Sequence, residues 1–304
     1  MDKANPFYRQ VALLVQVLPF LAGHKNFALK GGTAINLFVR DMPRLSVDID
    51  LAYLPINTRA EALADIAHSF DQLEGDLAAL PRVTIQRPPP ESDAQRLTLR
   101  RETTQIKIEL SPVLRGTVWP VRDMSVTPAV EDEFGYAEVP VVSLQDLYAG
   151  KIVAALDRQH PRDLFDVLLL LDNEGIDRDL FRTFLVYLIS HGRPLAELLM
   201  PRRKDIKQAY ENEFRSMTRE PVSLEALLDA RERLIATLHQ MLTEDDRAFL
   251  LSLKAKRPDW ALLGFDGIAD LPAVRWKLHN LAQMSDDKHA AAFARLQEVL
   301  AEAR

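Results

Sequence analysis

Two acidic residues spaced by one, Asp48 and Asp50, lie in the alternating run Arg44-Leu45-Ser46-Val47-Asp48-Ile49-Asp50-Leu51. In a strand of period two they project from one face, with Ser46 beside them, while Val47, Ile49 and Leu51 face the core. Neighbouring carboxylates repel each other, and their hard oxygens suit Mg²⁺, so the pair is a candidate metal site. Upstream stands Phe27-Ala28-Leu29-Lys30-Gly31-Gly32-Thr33, which reads as a short buried strand, a glycine turn and then a helix over 34–39. Backbone amides exposed where a helix begins favour an anion, and paired glycines let a phosphate approach closely. Carboxylates beside a phosphate cradle suit the chemistry of a metal-bound nucleoside triphosphate. Taken singly, each motif is ordinary. Most Asp-x-Asp pairs are solvated strand faces, and most Gly-Gly pairs are turns.

These residues need a sheet to hold them. Residues 6–21 carry Phe7, Val11, Leu14, Val15 and Leu18 at helical spacing, ahead of a strand at 27–29. Asn57 or Thr58 is placed to cap a helix running to Leu77. Strand-like segments follow at 82–87, 96–100 and 105–110, and the proline run Pro88-Pro89-Pro90 reads as a loop. The segment 106–110 alternates, so Lys107 and Glu109 share one face and the isoleucines the other. Residues 116–140 read as irregular, with prolines at 120, 128 and 140, and are taken as a domain seam. The remainder is helical in pattern, with candidate helices from 143 onward and at 178–190, 206–215, 224–242, 245–254, 273–284 and 289–303.

Composition narrows the class. The chain has 304 residues, 47% of them hydrophobic and 27% charged, enough for one large or two modest globular domains. With no cysteine there are no disulfides, thiolate metal sites or cysteine nucleophiles. No apolar run reaches membrane-spanning length and no signal-peptide pattern opens the chain, so a cytoplasmic setting without membrane contact is expected. The net charge of −6 argues against a long footprint on nucleic acid, though a local basic groove suffices to hold one RNA end. Arg202-Arg203-Lys204 with Lys207, and Lys254, Lys256 and Arg257 near Trp260, are the basic clusters. Each reads either as solvated helix ends or as part of an RNA groove.

In order and separation, Leu29-Lys30-Gly31-Gly32-Thr33-Ala34 and Arg44-Leu45-Ser46-Val47-Asp48-Ile49-Asp50-Leu51 match the signature of DNA polymerase β-like nucleotidyltransferases. More narrowly, the chain resembles the AbiEii/AbiGii toxin family of abortive-infection and toxin–antitoxin systems. The resemblance implies an α+β protein: a nucleotidyltransferase domain over 1–142, with a mixed sheet flanked by helices, then an all-helical domain over 143–304 that completes the cleft. It implies two Mg²⁺ ions on Asp48, Asp50 and a third strand carboxylate, the slot Glu109 fits. Lys30, Gly31, Gly32 and Thr33 would bind the NTP, with Arg44 and Ser46 along its triphosphate. The segments Leu144-Gln145-Asp146-Leu147 through Lys151 and Arg162-Asp163-Leu164-Phe165-Asp166 resemble the family's later motifs, where Lys151 contacts the nucleotide and Asp163 stands near the active site. On their own residues, Arg162 and Asp166 could equally pair along a helix, and Asp163 could serve a helix N-terminus. The implied reaction modifies an RNA acceptor, the tRNA 3′ end, and the implied partner is a cognate antitoxin. A small-molecule nucleotidyltransferase of the aminoglycoside-modifying kind, or a non-enzymatic binding module, are the other readings.

Overall fold

The computed structural model describes residues 5–88 and 95–303, so Pro89 and Pro90 of the expected proline loop lie outside the described residues. The chain divides into two compact units, Met1–Ser143 with Arg215–Pro221, and Leu144–Phe214 with Val222–Arg304.

The first unit begins with α1 (Pro6–Leu21), entered through an Asn5 cap and a proline at the start of the helix, where its missing N–H costs nothing. Strand β1 (Phe27–Lys30) runs into α2 (Gly31–Ala34), which widens into a π-turn over Ile35–Val39 rather than the regular helix expected there. Then come β2 (Asp48–Tyr53), α3 (Arg59–Leu77), β3 (Thr84–Gln86), β4 (Gln95–Arg101) and β5 (Thr104–Arg115). Helix α3 starts at a Thr58–Glu61 capping box, in which each side chain meets the other residue's backbone N–H.

The segment expected to be an irregular seam is instead structured, with β6 (Arg122–Ser125), α4 (Pro128–Phe134) and β7 (Glu138–Val141). Its prolines sit where structure tolerates them. Pro128 opens α4, and Pro140 lies near the end of β7.

The described strands form one mixed sheet of seven, in the order β3-β4-β5-β2-β1-β7-β6. β2 runs antiparallel to β1 and parallel to β5, and β4 returns antiparallel to β5. Alternation fixes the register. Ile49, Leu51, Leu97, Leu99, Ile106 and Ile108 are buried, while Asp48, Asp50, Lys107 and Glu109 are only partly covered. Each buried Leu or Ile contributes roughly 1.5–3 kcal/mol, and a one-residue slip would expose the whole set, so the charged residues are locked to the other face. Phe27 stacks edge-on against Phe70 of α3, tying that helix to the buried face. Residues 215–221 rejoin this unit: Leu45 N–H donates to the Met217 carbonyl (2.8 Å), and Arg219 N–H to that of Pro43 (2.8 Å).

The second unit is all helical among its described residues: α5 (Leu144–Asp157), α6 (Pro161–Asp172), α7 (Arg178–Ser190), α8 (Leu195–Leu199), α9 (Lys207–Glu213), α10 (Leu224–Met241), α11 (Glu244–Lys254), α12 (Pro272–Ala282) and α13 (Asp286–Glu302). α5 packs on α6 and α7, and α6 on α10, through stripes such as Leu227, Leu234 and Leu238. Short α8 is too brief to announce itself by periodicity. No helix among the described residues is long and apolar enough to cross a membrane.

Candidate active site

The ladder places four charged residues in one row across four strands. Lys30 of β1 pairs with Asp50 of β2, Asp50 with Glu109 of β5, and Glu109 with Arg96 of β4. Cross-strand partners lie on a common face, so the row reads cation, carboxylate, carboxylate, cation. Asp48 stands two residues along β2 on the same face, opposite Lys107. A cleft of ≈ 300 Å³ opens here, lined by Lys30, Asp50, Gln95, Arg96, Glu109, Leu110 and Ser111. Arg96 Nη1 lies 3.5 Å from Glu109 Oε1, with both side chains half exposed. Arg96 and Gln95 were not singled out in the sequence, because their place depends on the β4–β5 register. A basic strand opposite Ile106–Leu110 was the available signal.

The two glycines are required by close approach. Gly31 has φ +75°, and a Cβ there would collide with Oδ2 of Asp50. A Cβ on Gly32 would lie 2.6 Å from Arg44 Nη2 and 3.0 Å from Ser46 Oγ. The glycine turn therefore lies directly against the acidic strand and the residues leading into it. Thr33 fastens this contact. Its buried hydroxyl reaches the Asp48 carbonyl (2.5 Å) and Ser46 Oγ (3.1 Å). Arg44 is buried and donates to the Leu45 carbonyl (3.0 Å), with Arg44 itself bridged to Thr218. Thr33, Arg44 and Ser46 thus shape the turn, while Lys30, Asp50 and Glu109 line the cleft.

Among the described residues, no three His, Asp or Glu side chains converge tightly enough to hold a metal ion. The donor chemistry nevertheless fits a hard divalent cation: the in-register carboxylates of Asp50 and Glu109, and Asp48 one pleat away, offer only oxygens.

In the helical unit, Lys151 of α5 and Asp163 and Asp166 of α6 form a buried cluster. Lys151 Nζ is 2.8 Å from Asp163 Oδ1 and 3.0 Å from Asp166 Oδ2. Asp163 and Asp166 are 1% and 0% exposed. The mostly exposed Arg158 adds a second clasp on Asp163, through Nε (2.5 Å) and Nη2 (3.0 Å). Burial alone would raise the Asp163 carboxyl, but Lys151 and Arg158 outweigh it and hold the group well below the usual carboxylate range. Asp166 faces Lys151 across the α5–α6 seam, a partnership that sequence spacing along one helix does not reveal.

A strand–glycine turn–strand unit carrying acidic residues in register with a third carboxylate is the arrangement of a nucleotidyltransferase. A family model described as nucleotidyl transferase AbiEii toxin, type IV toxin–antitoxin system, matches residues 12–280, and the chain belongs to that family. The fold is also similar to MenT4, a nucleotidyltransferase toxin from Mycobacterium tuberculosis H37Rv, with a TM-score of 0.62 at 17% identity, covering 91% of this chain and 94% of that one. No curated protein matches in sequence. The protein is therefore a nucleotidyltransferase toxin of a type IV toxin–antitoxin system, which implies a nucleotide substrate and an antitoxin partner.

Proposed function

We propose that the enzyme transfers a nucleoside monophosphate from an NTP to a hydroxyl of an RNA acceptor, the 3′ end of tRNA, and releases pyrophosphate. The observation that carries this reading is the Lys30–Asp50–Glu109–Arg96 row with the Gly31 backbone set against Asp50. Asp48, Asp50 and Glu109 are the residues that would hold Mg²⁺. When bound, two such ions neutralise the triphosphate and lower the pKa of the attacking hydroxyl.

The chain's own residues supply the rest. The turn at Gly31 and Gly32 receives the phosphates on backbone N–H groups, and Lys30 and Arg96 flank the carboxylates with positive charge. Glu109, partly exposed at the cleft, takes the proton from the acceptor hydroxyl. The hydroxyl oxygen then bonds to the α-phosphorus as the bond to the β-phosphate oxygen breaks. Lys151 keeps a nucleotide-binding role in this reading: the two carboxylates accept two of its three N–H donors and leave the third. Asp163, held by Lys151 and Arg158, positions that ammonium.

Incubation with each α-labelled NTP, Mg²⁺ and total RNA, followed by gel separation, tests the reading. Label is expected on one RNA size class, at tRNA length. Label on added aminoglycosides or other small acceptors, with none on RNA, would replace RNA as the acceptor.

A further inference from the structure

The polar face of the sheet continues beyond the row that holds Asp50. Strand register sets three rows on that face. The first carries Asp50, Glu109 and Arg96, the second Asp48, Lys107, Thr98 and Gln86, and the third Gln105, Arg100 and Thr84. Each row thus receives one cation from β4 or β5: Arg96, then Lys107, then Arg100. Alternate residues of a strand lie roughly 6.5 Å apart, so these cations repeat at a spacing comparable to that of phosphates along an extended nucleic-acid strand. Helices α1 and α3 pack against the opposite, apolar face, where Arg101 reaches Gln16 of α1 (2.8 Å).

The three charges are largely uncommitted. Lys107 forms no ion pair among the described residues, although Asp48 is its ladder partner. Arg100 Nη2 donates to the neutral amide oxygen of Gln105 (3.2 Å). Arg96 Nη1 lies 3.5 Å from Glu109, at the outer limit of a hydrogen bond, and Arg96 Nε is buried without a hydrogen-bond partner. Strands β3 and β4 carry no acidic residue to answer them. Protection of the sheet edge does not explain the pattern, because edge strand β3 presents the uncharged Thr84 and Gln86 here, while the cations stand inside the sheet. Among the described residues, no large apolar side chain is exposed on this face. Protein interfaces centre on such anchors, whereas nucleic-acid interfaces are polar and positively charged.

We propose that the β3–β4–β5 face is the track on which the RNA acceptor strand lies, its backbone phosphates on Arg100, Lys107 and Arg96 in turn and its 3′ hydroxyl at the carboxylates. This rests on the RNA-acceptor reading above and adds where the strand docks. The contacts go to phosphates, with Thr84, Thr98 and Gln86 as neutral donors beside them, so the track itself reads no sequence.

The test titrates a fluorescent single-stranded oligoribonucleotide with a free 3′ hydroxyl against the full chain, by anisotropy at several salt concentrations. Arg100→Gln with Lys107→Gln is compared with wild type, with the charge-keeping Arg100→Lys, and with Lys288→Gln plus Arg295→Gln on exposed positions of α13. Thermal melts accompany each. The track variant should lose about tenfold or more in affinity at low salt, and its slope of log affinity against log salt should shrink by about 0.7 for each lost phosphate contact. Arg100→Lys and the α13 pair should bind as wild type does. In the transfer assay, the track variant should raise KM for RNA and leave that for NTP unchanged. If wild type labels RNA while the track variant binds it with wild-type affinity and salt slope, the track is overturned and the RNA-acceptor reading stands. An equal loss in the α13 pair also overturns it, since net charge alone would then set the affinity. Poly-glutamate bound as tightly as RNA, and weakened by the same substitutions, would make an acidic protein the occupant instead. Wild type that neither binds nor labels RNA removes both the track and the reading beneath it.

Discussion

Replacing Lys151 by Met removes the ammonium shared by two of the most deeply covered carboxylates in the chain. Asp163 and Asp166 lose contacts of 2.8 and 3.0 Å. Arg158 still holds Asp163, so the change strips one of the cluster's two cations rather than abolishing neutralisation. Removing one member of a buried ion cluster typically costs about 3–5 kcal/mol, because the remaining charges stay behind without compensation. With a urea slope of roughly 2–3 kcal/mol/M for a unit of this size, the helical unit's midpoint should fall by about 1–2 M near neutral pH. The pH dependence gives an independent check. The folded-state pKa of Asp163 is depressed, so its stabilisation is present above the unfolded value of about 4 and is lost as pH falls below it. The gap between wild type and Lys151→Met should therefore be widest near neutrality and narrow below about pH 4. Urea melts followed by circular dichroism at several pH values measure both quantities. A variant as stable as wild type, with only its use of NTP impaired, would refute the clamp and leave Lys151 as a substrate contact alone.

Other expectations follow from single contacts. Gly31→Ala should cost about 1–2 kcal/mol in stability for its positive φ, and should cut transfer by more than about tenfold because the new Cβ displaces Asp50; steady-state kinetics beside a thermal melt separates the two effects. Thr58→Ala should lose about 1 kcal/mol by breaking the α3 capping box, with kinetics unchanged. Lys277 titrates at about 8 when folded. Between there and the ordinary lysine range, near 10.4, the unfolded chain binds a proton that the folded one does not, so stability should rise with pH by up to about 3 kcal/mol across that window. Lys277→Met should flatten this rise in urea midpoints taken from neutral to alkaline pH.

Local pattern carried much of the fold into the sequence. Alternation over 47–51 and 106–110 was enough to separate the buried from the charged face, and the Thr58 cap and the apolar stripes marked the long helices closely. Proline misled the reading of 116–140, because a proline that opens a helix and one near a strand end look the same in sequence as loop breakers. The π-turn at Ile35–Val39 was also hidden, since a helical apolar pattern does not specify which carbonyl each N–H will reach. At the site, Asp48, Asp50 and the glycines could be singled out because each sits in a short motif. Arg96 and the Asp166–Lys151 contact could not, because strand register and helix pairing bring them into place from 13 and 15 positions away. The return of residues 215–221 to pair beside Arg44 left no trace in local sequence at all.

Asp50 is the centre of the account, lying between Lys30 and Glu109 and under the Gly31 backbone. The most direct measurement is transfer of an α-labelled nucleotide to RNA by Asp50→Asn beside wild type, with thermal melts of both proteins in metal-free buffer. The amide keeps the shape and removes a charge that repels Glu109 across the ladder. Transfer is predicted to fall to background while the melting temperature stays level or rises. Wild-type transfer by Asp50→Asn, or a large loss of stability accompanying the loss of activity, would contradict the assignment of this row as the catalytic centre.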